Sequence, residues 1–168
     1  VLTGIHLGFY GRENSEKQCL QKEKTGSFGK SALPVTPEDE LAALLQNIER
    51  NSSIERIRLS SIEINEVSDE LVGLMAQSKK ICRHLHVPLQ SGDDDILQKM
   101  NRRYTGGQFM RRVAEIRQIL PDIGISTDVI VGFPGETDEQ YQRTCETISA
   151  MECAKIHVFR YSHRPKTK

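Results

Sequence analysis

The sequence carries no net charge: 23 basic side chains are matched by 23 acidic ones among 168 residues. That balance argues against a domain that holds nucleic acid through bulk charge of its own, though not against one that borrows a basic partner. No apolar run reaches membrane-spanning length and no signal peptide is visible, so neither a spanning helix nor a membrane partner is expected. Cysteine is scarce and scattered. Cys19, Cys82, Cys145 and Cys153 fall in no zinc or redox spacing, and a reducing, cytoplasmic setting is expected. Internal repeats and low-complexity tracts are missing too. So is an initiator methionine, since the chain opens at Val1 inside the apolar run VLTGIHLG. A chain that opens in mid-strand is expected to be an excised piece, with part of its chemistry outside it. The length suits one core and is short for two, so a single domain over residues 1–168 is expected.

What is present is organised around residues 126–137, STDVIVGFPGET. Val129, Ile130 and Val131 form a β-branched run suited to a strand buried on both faces. Gly132, Pro134 and Gly135 stop it, because glycine permits unusual backbone angles and proline cannot donate to a sheet ladder. Thr137 then caps a helix, with Gln140 completing a capping box. The unit is strand, glycine turn, helix.

The remaining chain reads as more such units. Residues 1–7 suggest a strand, and the polar residues 12–35 a long surface loop. Thr36 and Pro37 open a helix that places Leu41, Leu44, Leu45 and Ile48 on one face. A strand is expected over 57–62 and a helix over 67–78, packing through Leu71, Leu74 and Met75. Another strand is expected over 84–89. Asp93 caps a short helix, and Thr105 a longer one with Phe109, Val113, Ile116 and Leu120 inward. The last helix places Tyr141, Thr144, Cys145 and Ile148 on its apolar face, and residues 155–161 close the chain as a strand. Five strands separated by helices predict an α/β fold with a parallel sheet, either open or barrel-like.

Three groups of residues compete for a chemical role. Gly29, Lys30 and Ser31 suggest a phosphate loop, but Gly26 leaves only two residues before the Gly-Lys pair where the motif needs four. His84 and His86 share one face of a strand, and with His6, His157 and Asp128 they sketch a metal site of the barrel-hydrolase kind. Against this, they lie at the start of their strand, and rim histidines bonded to neighbours are the plainer reading. Polar residues at strand exits weigh more: Ser60, Ser61 and Glu63, then Gln90 and Ser91, then Gly132, then Tyr161 and Ser162. Any one is explained as a cap or turn residue. Their recurrence at successive exits suggests a ligand cup, with Arg102 and Arg103 suited to an anionic group.

Taken together, VLTGIHLGFYG, RLSSIE, LHVPLQSGDDDILQKMNRRYT, STDVIVGFPGET and HVFRYS resemble the radical S-adenosylmethionine methylthiotransferases that modify tRNA next to the anticodon. The threonylcarbamoyladenosine-modifying branch is the most similar, and the resemblance spans nearly everything except residues 12–35. It implies a partial (β/α) TIM-like barrel. The first strand, the cluster loop Cys-x3-Cys-x2-Cys, an amino-terminal cluster domain and a carboxy-terminal RNA-binding module would all lie outside this chain. It implies S-adenosylmethionine and two 4Fe-4S clusters as cofactors, tRNA as partner, and an activity that this piece alone would not show. Thr3 and Gly4 would lie near the methionyl amino group, and Ser61, Glu63 and Gln90 would line the cup. Arg102 would meet a carboxylate, and Val131, Gly132 and Phe159 would surround the adenine. The family mechanism would cleave the cofactor reductively to a deoxyadenosyl radical that abstracts hydrogen from the substrate adenine. Ile64 departs from a proline common at that place, and the ending RPKTK lacks an expected glycine. A ribosomal-protein methylthiotransferase and a metal-dependent barrel hydrolase are the alternatives. An excised barrel would also leave the edge strand at residues 1–7 unpaired, inviting self-association.

Overall fold

A computed structural model describes residues 2, 3, 7, 10 and 39–163. The chain divides into two compact units, Val1–Arg83 and His84–Lys168. The expected loop over residues 12–35, the cap at Thr36 and Pro37, Gly4 and His6 lie outside the described residues.

In the first unit, α1 (Asp39–Asn51) buries Leu41, Ala42 and Leu45 and leaves Leu44 and Ile48 half-buried. These positions sit at helical spacing, so one stripe is dry. The carboxyl end of α1 is held by a cation, because Lys80 Nζ donates to the carbonyls of Glu49 (2.9 Å) and Ser52 (3.2 Å). Helix α2 (Asp69–Gln77) begins two residues later than its apolar pattern suggests. Ser68 takes the N-cap instead, its hydroxyl accepting the Leu71 amide at 3.0 Å. Leu71, Val72 and Met75 are buried, and Leu74 is half-buried.

The strand expected over 57–62 keeps its alternation, with Ile57 and Leu59 buried and Arg58 exposed, but pairs only through isolated parallel bridges, Ile57↔Ile81 and Leu2↔Leu59. The Ile57 amide donates to the Lys80 carbonyl and the Cys82 amide to the Ile57 carbonyl, each at 2.8 Å. Among the described residues no longer ladder forms there. A single turn of 3-10 helix, Ile64–Glu66, follows with Glu63 at its head.

The second unit holds a three-stranded parallel sheet in the order β1 (His84–His86), β2 (Gly124–Val131), β3 (Lys155–Arg160). Helices α3 (Asp94–Lys99) and α4 (Gly106–Ile119) connect the first two strands, and α5 (Asp138–Met151) the second and third. The helix starts read from the sequence in this unit are present: Asp93 caps α3, Thr105 caps α4 and Thr137 caps α5 in the expected capping box with Gln140. Thr105 forms a further box with Gln108. Phe109, Val113, Ile116 and Leu120 are buried.

Helix α5 departs from the apolar face expected of it. Tyr141 is exposed, and the buried residues are Gln140, Thr144 and Met151. Polar bonds dock this helix. The Thr144 hydroxyl accepts the Gly92 amide at 2.9 Å, and Gln140 Nε2 donates to Asp93 Oδ1 at 2.9 Å.

Regular pairing in β1 is shorter than the apolar run, for a local reason. His86 pairs with Ser126, an offset of 40, whereas Gln90 pairs with Val129, an offset of 39. One extra residue is therefore accommodated on the β1 side, and Gln90 adopts φ 70. Thr127 repairs the gap: its hydroxyl accepts the Leu89 amide at 2.9 Å and donates to the Val87 carbonyl at 2.7 Å.

Candidate functional site

Parallel pairing fixes which side chains share a face of the second unit's sheet. Leu85, Val87, Ile125, Thr127 and Val129 are buried. Residues in the alternate phase, His86, Asp128, Ile130 and His157, are half-buried, and Phe159 is exposed. Along β1 and β2 the first face is closed, and it opens at β3, where Ile156 and Val158 are exposed. The second face is more open and carries the histidines and Asp128.

On that face the register places Asp128 directly opposite His157, and His86 opposite Ser126. Asp128 Oδ2 lies 3.1 Å from His86 Nε2, and Asp128 Oδ1 lies 3.1 Å from His157 Nδ1. The Ser126 hydroxyl is 2.9 Å from His86 Nδ1 and 3.0 Å from His84 Nε2. A carboxylate only accepts, so both imidazoles donate to Asp128. A neutral His86 that donates through Nε2 accepts at Nδ1. Ser126 therefore donates to it and accepts from His84. Five side chains form one directed chain ending on a single carboxylate.

The carboxyl ends of the same strands are more open. Gly132 has φ +73, and a Cβ there would meet nothing within 4 Å. Its amide donates to Glu136 Oε2 at 2.6 Å. Gln90 is buried, its backbone amide donating to the Asp128 carbonyl (2.8 Å) and its backbone carbonyl accepting from the Ile130 amide (2.9 Å). Phe159 pairs with Ile130 and shares its face. Val131 falls in the opposite phase, so only its backbone is shared with that side.

Gln90, Val131, Gly132 and Phe159 thus lie together at one end of three parallel strands. Arg102 lies elsewhere in the unit. It lines a groove of about 330 Å³ between α3 and the start of α4, with Asp94, Arg103 and Tyr104, and none of the strand-end residues lines that groove. In the first unit, Thr3 follows Leu2 and Ser60 follows its bridge partner Leu59, so Thr3 and Ser61 leave the same end of a parallel pair, both exposed. Glu63 stands half-buried two residues on.

One buried polar centre escaped the sequence reading beyond its role as a cap. Asp93 accepts the Ile96 amide at 3.1 Å, Gln140 Nε2 at 2.9 Å and Arg143 Nε at 2.7 Å. Burial alone would raise its carboxyl, but the bond from Arg143, the Ile96 amide and Gln140 outweigh that and hold it below the usual carboxylate range. The available signal was Gln140, Arg143 and Thr144 on one side of a helix. Cys153 is no candidate nucleophile, because burial pushes its thiol up despite Arg117 nearby.

Residues 20–148 match the family model described as the Radical SAM superfamily. The chain is 42% identical over 167 residues to the threonylcarbamoyladenosine tRNA methylthiotransferase MtaB of Thermotoga maritima, covering 99% of this chain and 33% of that protein. It is 36% identical over 168 residues to the protein of the same name from Bacillus subtilis, covering 99% and 32%. It is 35% identical over 162 residues to a tRNA-2-methylthio-N(6)-dimethylallyladenosine synthase of Endomicrobium trichonymphae, covering 93% and 39%. The chain thus spans 32–39% of the length of these relatives. Among solved structures, the radical S-adenosylmethionine methyltransferase TsrM from Kitasatospora setae superposes with a TM-score of 0.57 at 20% identity, over 71% of this chain and 24% of that one. That likeness is one of fold, the α/β partial-barrel class with mostly parallel strands.

Proposed function

The chain belongs to the radical SAM superfamily, and on that premise we propose that it is the central barrel portion of a tRNA methylthiotransferase. Its substrate would be N6-threonylcarbamoyladenosine next to the anticodon, with tRNA as partner and the cytoplasm as setting. One observation carries this reading: 99% of the chain aligns at 42% identity with a relative named for that substrate. The dimethylallyladenosine synthases, 35% identical in the example above, make the neighbouring substrate the second reading. Nothing in these relatives' names favours a ribosomal protein or a hydrolytic reaction.

The strand ends suit S-adenosylmethionine. The open space beside Gly132 lets the backbone approach a flat base closely, and the half-exposed Phe159 ring offers a surface for stacking. Gln90 would supply a polar contact there, whereas Arg102 lines a separate groove of the same unit and is not assigned to these strand ends. Bound there, the cofactor supplies radical chemistry, while these residues bind it, orient it and exclude water. A 4Fe-4S cluster does not fit this chain alone. Its cysteines at 19, 82, 145 and 153 do not form the three-cysteine loop, so no step through a cluster is assigned to these residues.

The test uses the full reading frame that contains this chain, expressed in cells that lack methylthio modification of tRNA. Mass spectrometry of tRNA nucleosides should show the methylthio group on threonylcarbamoyladenosine. Its appearance on dimethylallyladenosine would move the protein to the second reading, and its absence from both would overturn the proposal.

A further inference from the structure

We propose that His86, Asp128 and His157 form a binding site for one divalent first-row transition metal on the open face of the β1–β2–β3 sheet. Their donor atoms lie within 4.8 Å of one another. The convergence is enforced by the backbone. Asp128 and His157 are paired residues on adjacent strands, and His86 stands opposite Ser126, one step back along the same face of β2. The site is therefore carried on a sheet rather than on loops, and its three donors come from three strands.

The spacing is within reach of a metal site. The two histidine-to-carboxylate separations are 3.1 Å, each to a different oxygen of Asp128, close to the roughly 3.3 Å edge of a tetrahedron with bonds of about 2.0–2.1 Å. With one oxygen per residue the donors span up to 4.8 Å, so the longest edge must close on binding. Side-chain exposure rises from 14% at His86 through 22% at Asp128 to 39% at His157. One side of the site is sheltered and the other is reachable. Ser126 Oγ, 2.9 Å from His86 Nδ1, is the outer partner that a ligating imidazole needs to fix its orientation. Two imidazoles and one carboxylate, with no thiolate, favour zinc, cobalt(II), iron(II) or manganese(II) over copper(I). Three protein donors leave at least one coordination position for an outside oxygen or nitrogen.

Binding would reverse the chain of hydrogen bonds. His86 would give Nε2 to the metal and carry its proton on Nδ1, donating to Ser126, which would then donate to His84. The alternative occupant of this geometry is hydrogen bonds alone, with Asp128 shared between two imidazoles, and the experiment separates the two.

The 168-residue chain, stripped with a chelator, is titrated with cobalt(II) while the visible absorption is followed. One equivalent should bind with weak ligand-field bands and without the near-ultraviolet sulfur band that any cysteine ligand would add. His157→Gln, on the exposed β3, should weaken cobalt at least about a hundredfold, and Ser126→Ala about ten- to a hundredfold, with circular dichroism confirming that each variant is folded. Nitrogen-detected histidine spectra should show His86 changing tautomer when zinc is added. The proposal is overturned if the folded chain gives no ligand-field bands at excess cobalt. A sulfur band in their place, or equal affinity in His157→Gln, would overturn it equally.

Discussion

Two residues show how much a single position decides. Gly132 stands at φ +73 over open space, so a β-branched side chain there is strained and would enter the space proposed for the cofactor. Gly132→Val is expected to abolish binding of S-adenosylmethionine measured by calorimetry, and unchanged affinity would remove the end of β2 from the cofactor site. Asp93 is the other. Its folded carboxyl titrates below the ordinary value, so its contribution to stability is complete above about pH 4 and is lost as pH falls through the folded value. Denaturant midpoints should therefore drop on acidification below about pH 4, and the drop should be smaller in Asp93→Asn. The role of Asp93 as a cap was legible because an aspartate precedes a helical pattern. Its bonds to Gln140 and Arg143, about 50 residues away, were not, since local spacing carries no information on distant partners.

At the scale of elements, what the sequence disclosed depended on how local the cause was. The capping box of Thr137 with Gln140 and the buried stripe of α4 came out as read, because their partners lie three or four residues apart. The exposure of Tyr141 on α5 did not, because that helix is docked by hydroxyl and amide groups that an apolar count passes over. Gly92 makes the docking testable. A Cβ there would lie 2.6 Å from Thr147 Oγ1 and 2.7 Å from the Thr144 Cα, and the backbone atom is the one that cannot step aside. Gly92→Ala should cost roughly 1–3 kcal/mol in denaturant unfolding, and a neutral result would show that α5 tolerates being pushed outward. The histidines of β1 teach a related lesson. Period-two spacing correctly put His84 and His86 on one face. Where on the face Asp128 and His157 would stand depended on strand register, which only pairing reveals.

The described residues form two compact units, with no helix long and apolar enough to cross a membrane and with an apolar, exposed border strand in β3. In the described sheet β3 pairs on one side only, and Ile156, Val158 and Phe159 are exposed, Val158 by 63%. Association was expected at residues 1–7, most of which lie outside the described residues; among the described residues β3 offers a second candidate edge for self-association. Light scattering should find dimers or larger species, and Val158→Lys should shift the population towards monomer. A monomer at all concentrations in the unsubstituted chain would refute this.

The surplus residue between His86 and Gln90 has a consequence for anyone exchanging parts between related barrels. Upstream of it the strand keeps one phase with β2, and downstream it keeps another, with Thr127 as the splice that reconciles them. A transplanted segment that ended inside 87–89 would arrive out of step by one position and turn the carboxyl end of the strand inside out. Crossovers in a chimera therefore belong before His84 or after Gly92, with Thr127 inherited from the same parent.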